Sequence, residues 1–164
     1  MADNQTELLS AASRAEIDSE LAKYPADQRQ SAVMAALRIA QDANDGWLPR
    51  ELMDAVADYI GMPAIAVYEV ATFYSMYELK SVGRHKICVC TNISCLLRGS
   101  EEVVEHLRKR LGIGLGETTE DGRVTLKEVE CLGACANAPM AQVGHVYVED
   151  LTPEKIDQLL EGME

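Results

Sequence analysis

The feature that most restricts how this chain can fold is a set of four cysteines in two tight pairs. Cys90 and Cys95 lie in "CVCTNISC", and Cys131 and Cys135 lie in "VECLGACANAPM". Each pair is a two-toothed clamp, and the two clamps are far apart in sequence. The opening stretch "MADNQTELLSAASRAE" lacks a basic start followed by an apolar block, so no secretory signal is read there. A reducing compartment is therefore expected. In such a compartment five cysteines, an odd number, point to metal or redox work rather than disulfides.

The spacings narrow the choice. Thiolate is a soft ligand that suits zinc or iron–sulfur groups. Zinc knuckles usually use Cys-x2-Cys, where a tight turn aims both sulfurs at one ion. Neither Cys90-x4-Cys95 nor Cys131-x3-Cys135 has that spacing. A 2Fe–2S cluster needs four thiolates, and a Cys-x4-Cys loop is also part of the plant-type ferredoxin pattern. Gly133 would let the main chain approach such a group with no Cβ in the way. The spacing thus favours a cluster over zinc. A zinc site and four unliganded thiols remain as alternatives.

Other candidate groups carry less. Cys88, two residues before Cys90, reads as a small buried side chain. A Rieske-type centre would need two histidines. His85, His106 and His145 all lie outside the clamps and read as surface residues. Glu128 and Glu130 flank Cys131 without forming an acid–base pair, though their charge would disfavour reduction of a nearby cluster. "GIGLGE" at 112–117 follows a helix instead of opening one, so it reads as a loop and not as a phosphate cradle. No catalytic residue is assigned.

The chain has 164 residues, enough for one ordinary domain or two small ones. Its net charge of −12 is spread, with 13 acidic and 6 basic residues in 1–80 and 14 and 9 in 81–164. A chain this acidic repels phosphate backbones and anionic lipid, so nucleic acid and membrane surfaces are poor partners. No apolar run approaches the ~18 residues of a membrane span.

The first half reads as helices. "QSAVMAALRIAQDA" sets Val33, Leu37 and Ala40 on one face, with Met34 beside them. "DGWLPRELMDAVADYIG" has a turn at Asp45–Gly46, Pro49 suited to a first helical turn, and Leu52, Val56 and Ile60 at helical spacing. "MPAIAVYEVATFYSMY" is apolar nearly all round, which predicts a well-buried helix. The second half changes character after "KSVGRH". "HKICVC" alternates like a strand, and "LLRGSEEVVEHLRKRLG" reads as an amphipathic helix capped at Gly112. "RVTLKEVE" and "MAQVGHVYVE" read as strands, the latter folding at Gly144–His145. "LTPEKIDQLLEGM" reads as a helix with Thr152 as N-cap and Pro153 at its first position. The expectation is an α+β chain, with a helical bundle over 1–80 and an α/β domain over 81–164.

"VCTNISCLLRGS", "VTLKEVECLGACANAPMAQV" and "LTPEKI" closely resemble the thioredoxin-like 2Fe–2S subunit of NADH:quinone oxidoreductase, respiratory complex I. "KYPADQRQSAVMAALRIAQDANDGWLP" and "EVATFYSMY" resemble that family's helical domain, so the likeness runs from about Tyr24 to Ile156. The resemblance implies a thioredoxin-like ferredoxin fold for 81–164. It implies one 2Fe–2S cluster, with Cys90 and Cys95 on one iron and Cys131 and Cys135 on the other. It also implies docking on a flavoprotein subunit that binds NADH and FMN, neither of which this chain would hold itself.

The expected role is therefore an electron-transfer subunit of a larger respiratory complex, with no complete catalytic activity alone and no direct membrane insertion. Its expected location is the cytoplasm, or the matrix side of the inner membrane within a peripheral arm. The same architecture occurs in soluble NAD-dependent formate dehydrogenases and NAD-linked hydrogenases, which stand as alternatives beside a zinc-stabilised interaction module. A thiol oxidoreductase is disfavoured because Cys-x-x-Cys is missing. Two departures from the family show: Cys88 is not a family ligand, and "KSVG" lacks a proline expected shortly before its glycine. Trp47 and the "AIAVYEVATFY" helix are most simply the bundle's own core. The resemblance implies instead that part of this half is buried against the flavoprotein.

Overall fold

The computed structural model of the protein describes residues 5–163. Residues 1–4 and 164, at the outer ends of the two expected halves, lie outside the described residues; the first of these belong to the stretch read above as lacking a signal. The chain forms two compact units, Met1–Ser81 and Val82–Glu164.

In the first unit, α1 (Ala11–Leu21) is opened by Ser10, whose hydroxyl accepts the Ser13 N–H at 3.0 Å. It packs on α2 (Val33–Ala43), where Val33, Leu37 and Ala40 are buried as the periodicity predicts and Met34 packs beside them. Next, α3 (Arg50–Ile60) buries Leu52, Val56 and Ile60 and ends at Gly61, whose φ of 76° is the left-handed cap glycine adopts readily. Pro49 differs from expectation. It stands at the N-cap with ψ 157°, and its carbonyl accepts the Met53 N–H. The Asp45–Gly46 turn is present, both residues having positive φ.

The fourth helix, α4 (Ala64–Phe73), overturns the expectation of deep burial. Only Val67 and Ala71 are buried, while Ile65 is 64% and Phe73 79% exposed. A helix apolar on every face has no polar side to leave in water. The bundle buries one narrow stripe of it; Ala64, Tyr68 and Val70 pack half-buried at the sides of that stripe, and Ile65 and Phe73 stand in solvent. Trp47 is half-buried rather than central.

The second unit has a five-stranded sheet in the order β2-β3-β1-β4-β5. Its strands are β1 (His85–Cys90), β2 (Glu117–Thr118), β3 (Val124–Val129), β4 (Ala141–Val143) and β5 (Val146–Val148). The pair β1–β3 is parallel; the other pairings are antiparallel. Between β1 and β2 run α5 (Ile93–Leu97) and α6 (Ser100–Leu111), and α7 (Pro153–Glu161) ends the unit. The single helix expected across "LLRGSEEVVEHLRKRLG" is thus two, divided at Gly99 with φ 93°. Gly112 caps α6 as expected, and the Thr152 hydroxyl accepts the Lys155 N–H at the start of α7. "GIGLGE" is a loop that runs into the short strand β2, which no sequence pattern announced.

The simple alternation read in "HKICVC" also gives way. Residues 87–90 are all buried, because β1 is the central strand between β3 and β4. Ile87 and Val89 join Val103, Leu107, Leu126, Ile156 and Leu160 in the main core. Cys90 belongs instead to a small separate cluster with Cys95, Ala138 and Met140.

Candidate iron–sulfur centre

Parallel pairing is what brings the two clamps together. In the β1–β3 register Cys90 stands opposite Val129, so both strands end at the same edge of the sheet. Cys95 follows Cys90 through α5, and Cys131 follows Val129 by two residues. The carboxyl ends of adjacent parallel strands are the usual place for a site in an α/β layer, since their loops leave side by side.

The first clamp is buried and pinned. Cys90 is 3% and Cys95 2% exposed. The Cys90 N–H donates to the Met140 carbonyl at 3.1 Å, and the Thr91 N–H donates to Val129 at 3.1 Å. The Asn92 side chain caps α5 by accepting the Ile93 N–H at 2.6 Å. The Cys90 thiol reaches the Glu130 carbonyl at 3.7 Å, which ties the first clamp to the strand leading into the second.

The second clamp is open. Cys131 and Cys135 are exposed, on a loop that passes through Gly133 at φ 79°. That left-handed turn lets the Gly133 N–H point back at the Cys131 Sγ, 3.4 Å away. The loop is fastened to the β4–β5 hairpin and the residues after it. The Tyr147 hydroxyl donates to the Leu132 carbonyl at 2.7 Å, the Asn137 amide to Glu149 at 2.8 Å, and the Asp150 N–H to the Asn137 carbonyl at 2.8 Å.

Electrostatics ties the sulfurs together. Burial pushes the Cys90 thiol up, but N–H donors from Asn92 and Leu132, with the neighbouring Cys95 and Cys131 thiols, outweigh it and leave Cys90 below the ordinary thiol value. Burial, helped by the hydrogen bond with Cys90, pushes Cys95 up to about 11, against a Met140 N–H that favours its thiolate. The Cys135 charge is also felt at Cys95.

None of the five cysteines is joined in a disulfide. Among the described residues no group of three or more His, Cys, Asp or Glu is arranged to hold a metal ion as it stands. The donor set nonetheless fits a four-thiolate iron–sulfur group. It offers four soft ligands around one end of a sheet, with backbone N–H groups already directed at sulfur and one side open to solvent.

Cys88 lies on β1, two residues inside Cys90, and is buried within the strand. The histidines are elsewhere. His85 starts β1 and His145 is in the hairpin turn, while His106 on α6 meets Asp157 of α7 at 2.8 Å. Glu128 and Glu130 are exposed. Sequence reasoning missed Asn92, Leu132, Met140 and Tyr147. Asn92, Leu132 and Met140 act through backbone groups, and the Tyr147 hydroxyl reaches a backbone carbonyl, so nothing in residue type or spacing marks their part in the site.

A family model for thioredoxin-like [2Fe-2S] ferredoxins matches residues 17–164. An NADH-quinone oxidoreductase subunit of Rickettsia felis is 50% identical over 139 residues, which is 85% of this chain and 83% of that protein. A mitochondrial NADH dehydrogenase [ubiquinone] flavoprotein 2 from Dictyostelium discoideum is 45% identical over 145 residues, or 88% of this chain and 59% of that one. Among solved structures, an NAD+-reducing [NiFe]-hydrogenase in the air-oxidized state superposes with a TM-score of 0.69 at 22% identity. That match covers 83% of this chain and 24% of the hydrogenase chain, and at that identity it speaks to the fold.

Proposed function

The chain belongs to the thioredoxin-like [2Fe-2S] ferredoxin family, and from that premise we propose how it works as the 2Fe–2S electron-transfer subunit of an NADH-quinone oxidoreductase. Cys90, Cys95, Cys131 and Cys135 hold one cluster, Cys90 and Cys95 on one iron and Cys131 and Cys135 on the other. The observation that carries this ligand set is the convergence of both clamps at one end of the β1–β3 pair, where the Cys90 thiol reaches the Glu130 carbonyl next to Cys131.

When bound, the cluster supplies one-electron exchange between ferric and ferrous iron. The chain's own residues set the conditions for that exchange. The N–H groups of Asn92, Leu132 and Gly133 point at sulfur and offset the negative charge there. Burial of Cys90 and Cys95 excludes water from one side of the site, and the exposed Cys131 and Cys135 leave the other side accessible. No group in this chain is assigned a proton-transfer or substrate-binding role, so the full reaction belongs to the assembled complex.

The partner is a flavoprotein subunit that carries FMN and binds NADH. Two exposed apolar surfaces support a covered position in a complex. One is on α5, the helix that carries Cys95, where Ile93 is 64% and Leu97 80% exposed. The other is the outer side of α4 with Tyr74 and Met76 just beyond it, which supports the helical half as a docking module. No helix among the described residues is long and apolar enough to cross a membrane. The chain's place is the peripheral arm, on the cytoplasmic or matrix side.

The equivalent subunit of a soluble NAD-linked hydrogenase shares the fold, while relatives at 45–50% identity favour the quinone-linked enzyme. The test mixes the iron-loaded full chain with the purified FMN-bearing subunit of the same complex and adds NADH under argon. A 2Fe–2S EPR signal that appears only with the flavin subunit present supports the relay. No reduction in the mixture, with both components loaded, would refute it.

A further inference from the structure

The peptide group between Leu132 and Gly133 is held at both ends. Its carbonyl, from Leu132, accepts the Tyr147 phenol at 2.7 Å. Its N–H, from Gly133, donates to the Cys131 Sγ at 3.4 Å. Carbonyl and N–H belong to one planar unit, so turning one end turns the other. The result is a continuous relay from phenol to sulfur, in which each hydrogen bond polarises the next.

The tie matters because of what stands on either side of it. Gly133 sits at φ 79° with nothing within 4 Å of where a Cβ would be, so the peptide has room and freedom to rotate. Tyr147, by contrast, is fixed in β5, which pairs with β4, which pairs with the central β1. The phenol therefore references a loose peptide to the sheet. It is not needed to keep the loop docked, since Asn137 makes separate bonds to Glu149 and Asp150. The neighbouring Leu132 N–H points at Cys90, so the orientation of this segment bears on both clamps.

We propose that Tyr147 is a positioning residue: through the Leu132–Gly133 peptide it keeps the Gly133 N–H on the Cys131 sulfur and so raises the one-electron potential of the group that thiolate holds. This rests on the reading that Cys131 is a cluster ligand. An N–H donor on a ligating sulfur stabilises the more negative, reduced state, so its loss moves the potential negative.

The test uses the full-length chain carrying its cluster at pH 7, with potential read by EPR-monitored redox titration. In Tyr147→Phe the ring stays and only the hydroxyl goes. The reduced-to-oxidised ratio at a fixed ambient potential should fall about threefold, the scale of one hydrogen bond. For a one-electron couple that is a negative shift of ~28 mV. Replacing Tyr147 with 3-fluorotyrosine, a stronger donor, should shift the potential the opposite way, which a packing role would not do. Unchanged potential in Tyr147→Phe, or shifts of the same sign in both variants, would overturn the proposal. Cys131→Ser is the separate control. If its EPR signal matched the wild type, the ligand reading would fall and this inference with it.

Discussion

Cys90, the last residue of β1, is the register partner of Val129, the last residue of β3. That single pairing delivers two cysteine clamps from distant parts of the chain to one edge of the sheet. It also sets Cys88, two residues further in, opposite Lys127 and inside the strand.

The ligand set follows from this placement. Serine at position 90, 95, 131 or 135 should each abolish or grossly perturb the EPR signal of the reduced protein, because a harder oxygen ligand or an open position replaces a soft thiolate. Cys88→Ser should leave the signal nearly unchanged. A destroyed signal in Cys88→Ser alongside an intact one in Cys90→Ser would reverse the assignment of the first clamp.

Gly83 should resist substitution for a reason unrelated to backbone freedom. A Cβ there would lie 2.9 Å from the Val124 backbone N and C, where β3 begins. The Gly83 N–H also donates to the buried Thr125 hydroxyl at 2.7 Å. Gly83→Ala should cost about 1–3 kcal/mol by overpacking, read as a lowered thermal midpoint of the second unit. An unchanged midpoint would show that this approach is looser than the geometry indicates.

Much of this was legible in the residues themselves. The clamps declared themselves by spacing, and α2, α3 and α7 by periodicity and caps, because those signals are local. The α4 helix was misread for a physical reason: apolar content shows that a surface avoids water, not whether this chain or another covers it. The burial of β1 on both faces depends on its central place in the sheet, and β2 forms by pairing with β3, so neither has a local signature. Tyr147 was silent for the same reason, since its partner is a backbone carbonyl that any residue could supply.

In the helical unit, Tyr77 should make stability depend on pH at the alkaline end. Its phenol is buried and donates to the Met34 carbonyl at 2.8 Å. Burial pushes its pKa up from 10.0 to about 12, with Tyr74 adding and Arg38 opposing. The folded state thus holds the proton more tightly than the unfolded chain. The stabilisation is fully present below pH 10 and is lost as pH rises through about 12. Across that window the wild type should lose on the order of 2 kcal/mol more than Tyr77→Phe, followed by the fluorescence of Trp47, the chain's one tryptophan. Parallel pH curves for the two proteins would contradict this.

The two exposed apolar surfaces can be tested separately. Leu97→Glu and Phe73→Glu both alter side chains that stand in solvent, so folding and cluster content should be unaffected. Each charge, once covered by an apolar partner, should weaken binding to the FMN-bearing subunit by at least about tenfold, measured by isothermal titration calorimetry. Full affinity in Phe73→Glu would remove the α4 end from the interface, and full affinity in Leu97→Glu would remove the α5 surface.

The most direct test of the central claim is elemental. Iron, zinc and acid-labile sulfide should be measured on the same anaerobically purified full-length chain. A single 2Fe–2S group predicts about two irons and about two sulfides per chain, with no stoichiometric zinc. One zinc per chain with no labile sulfide would contradict the account, because the same four thiols would then be closing a structural zinc site.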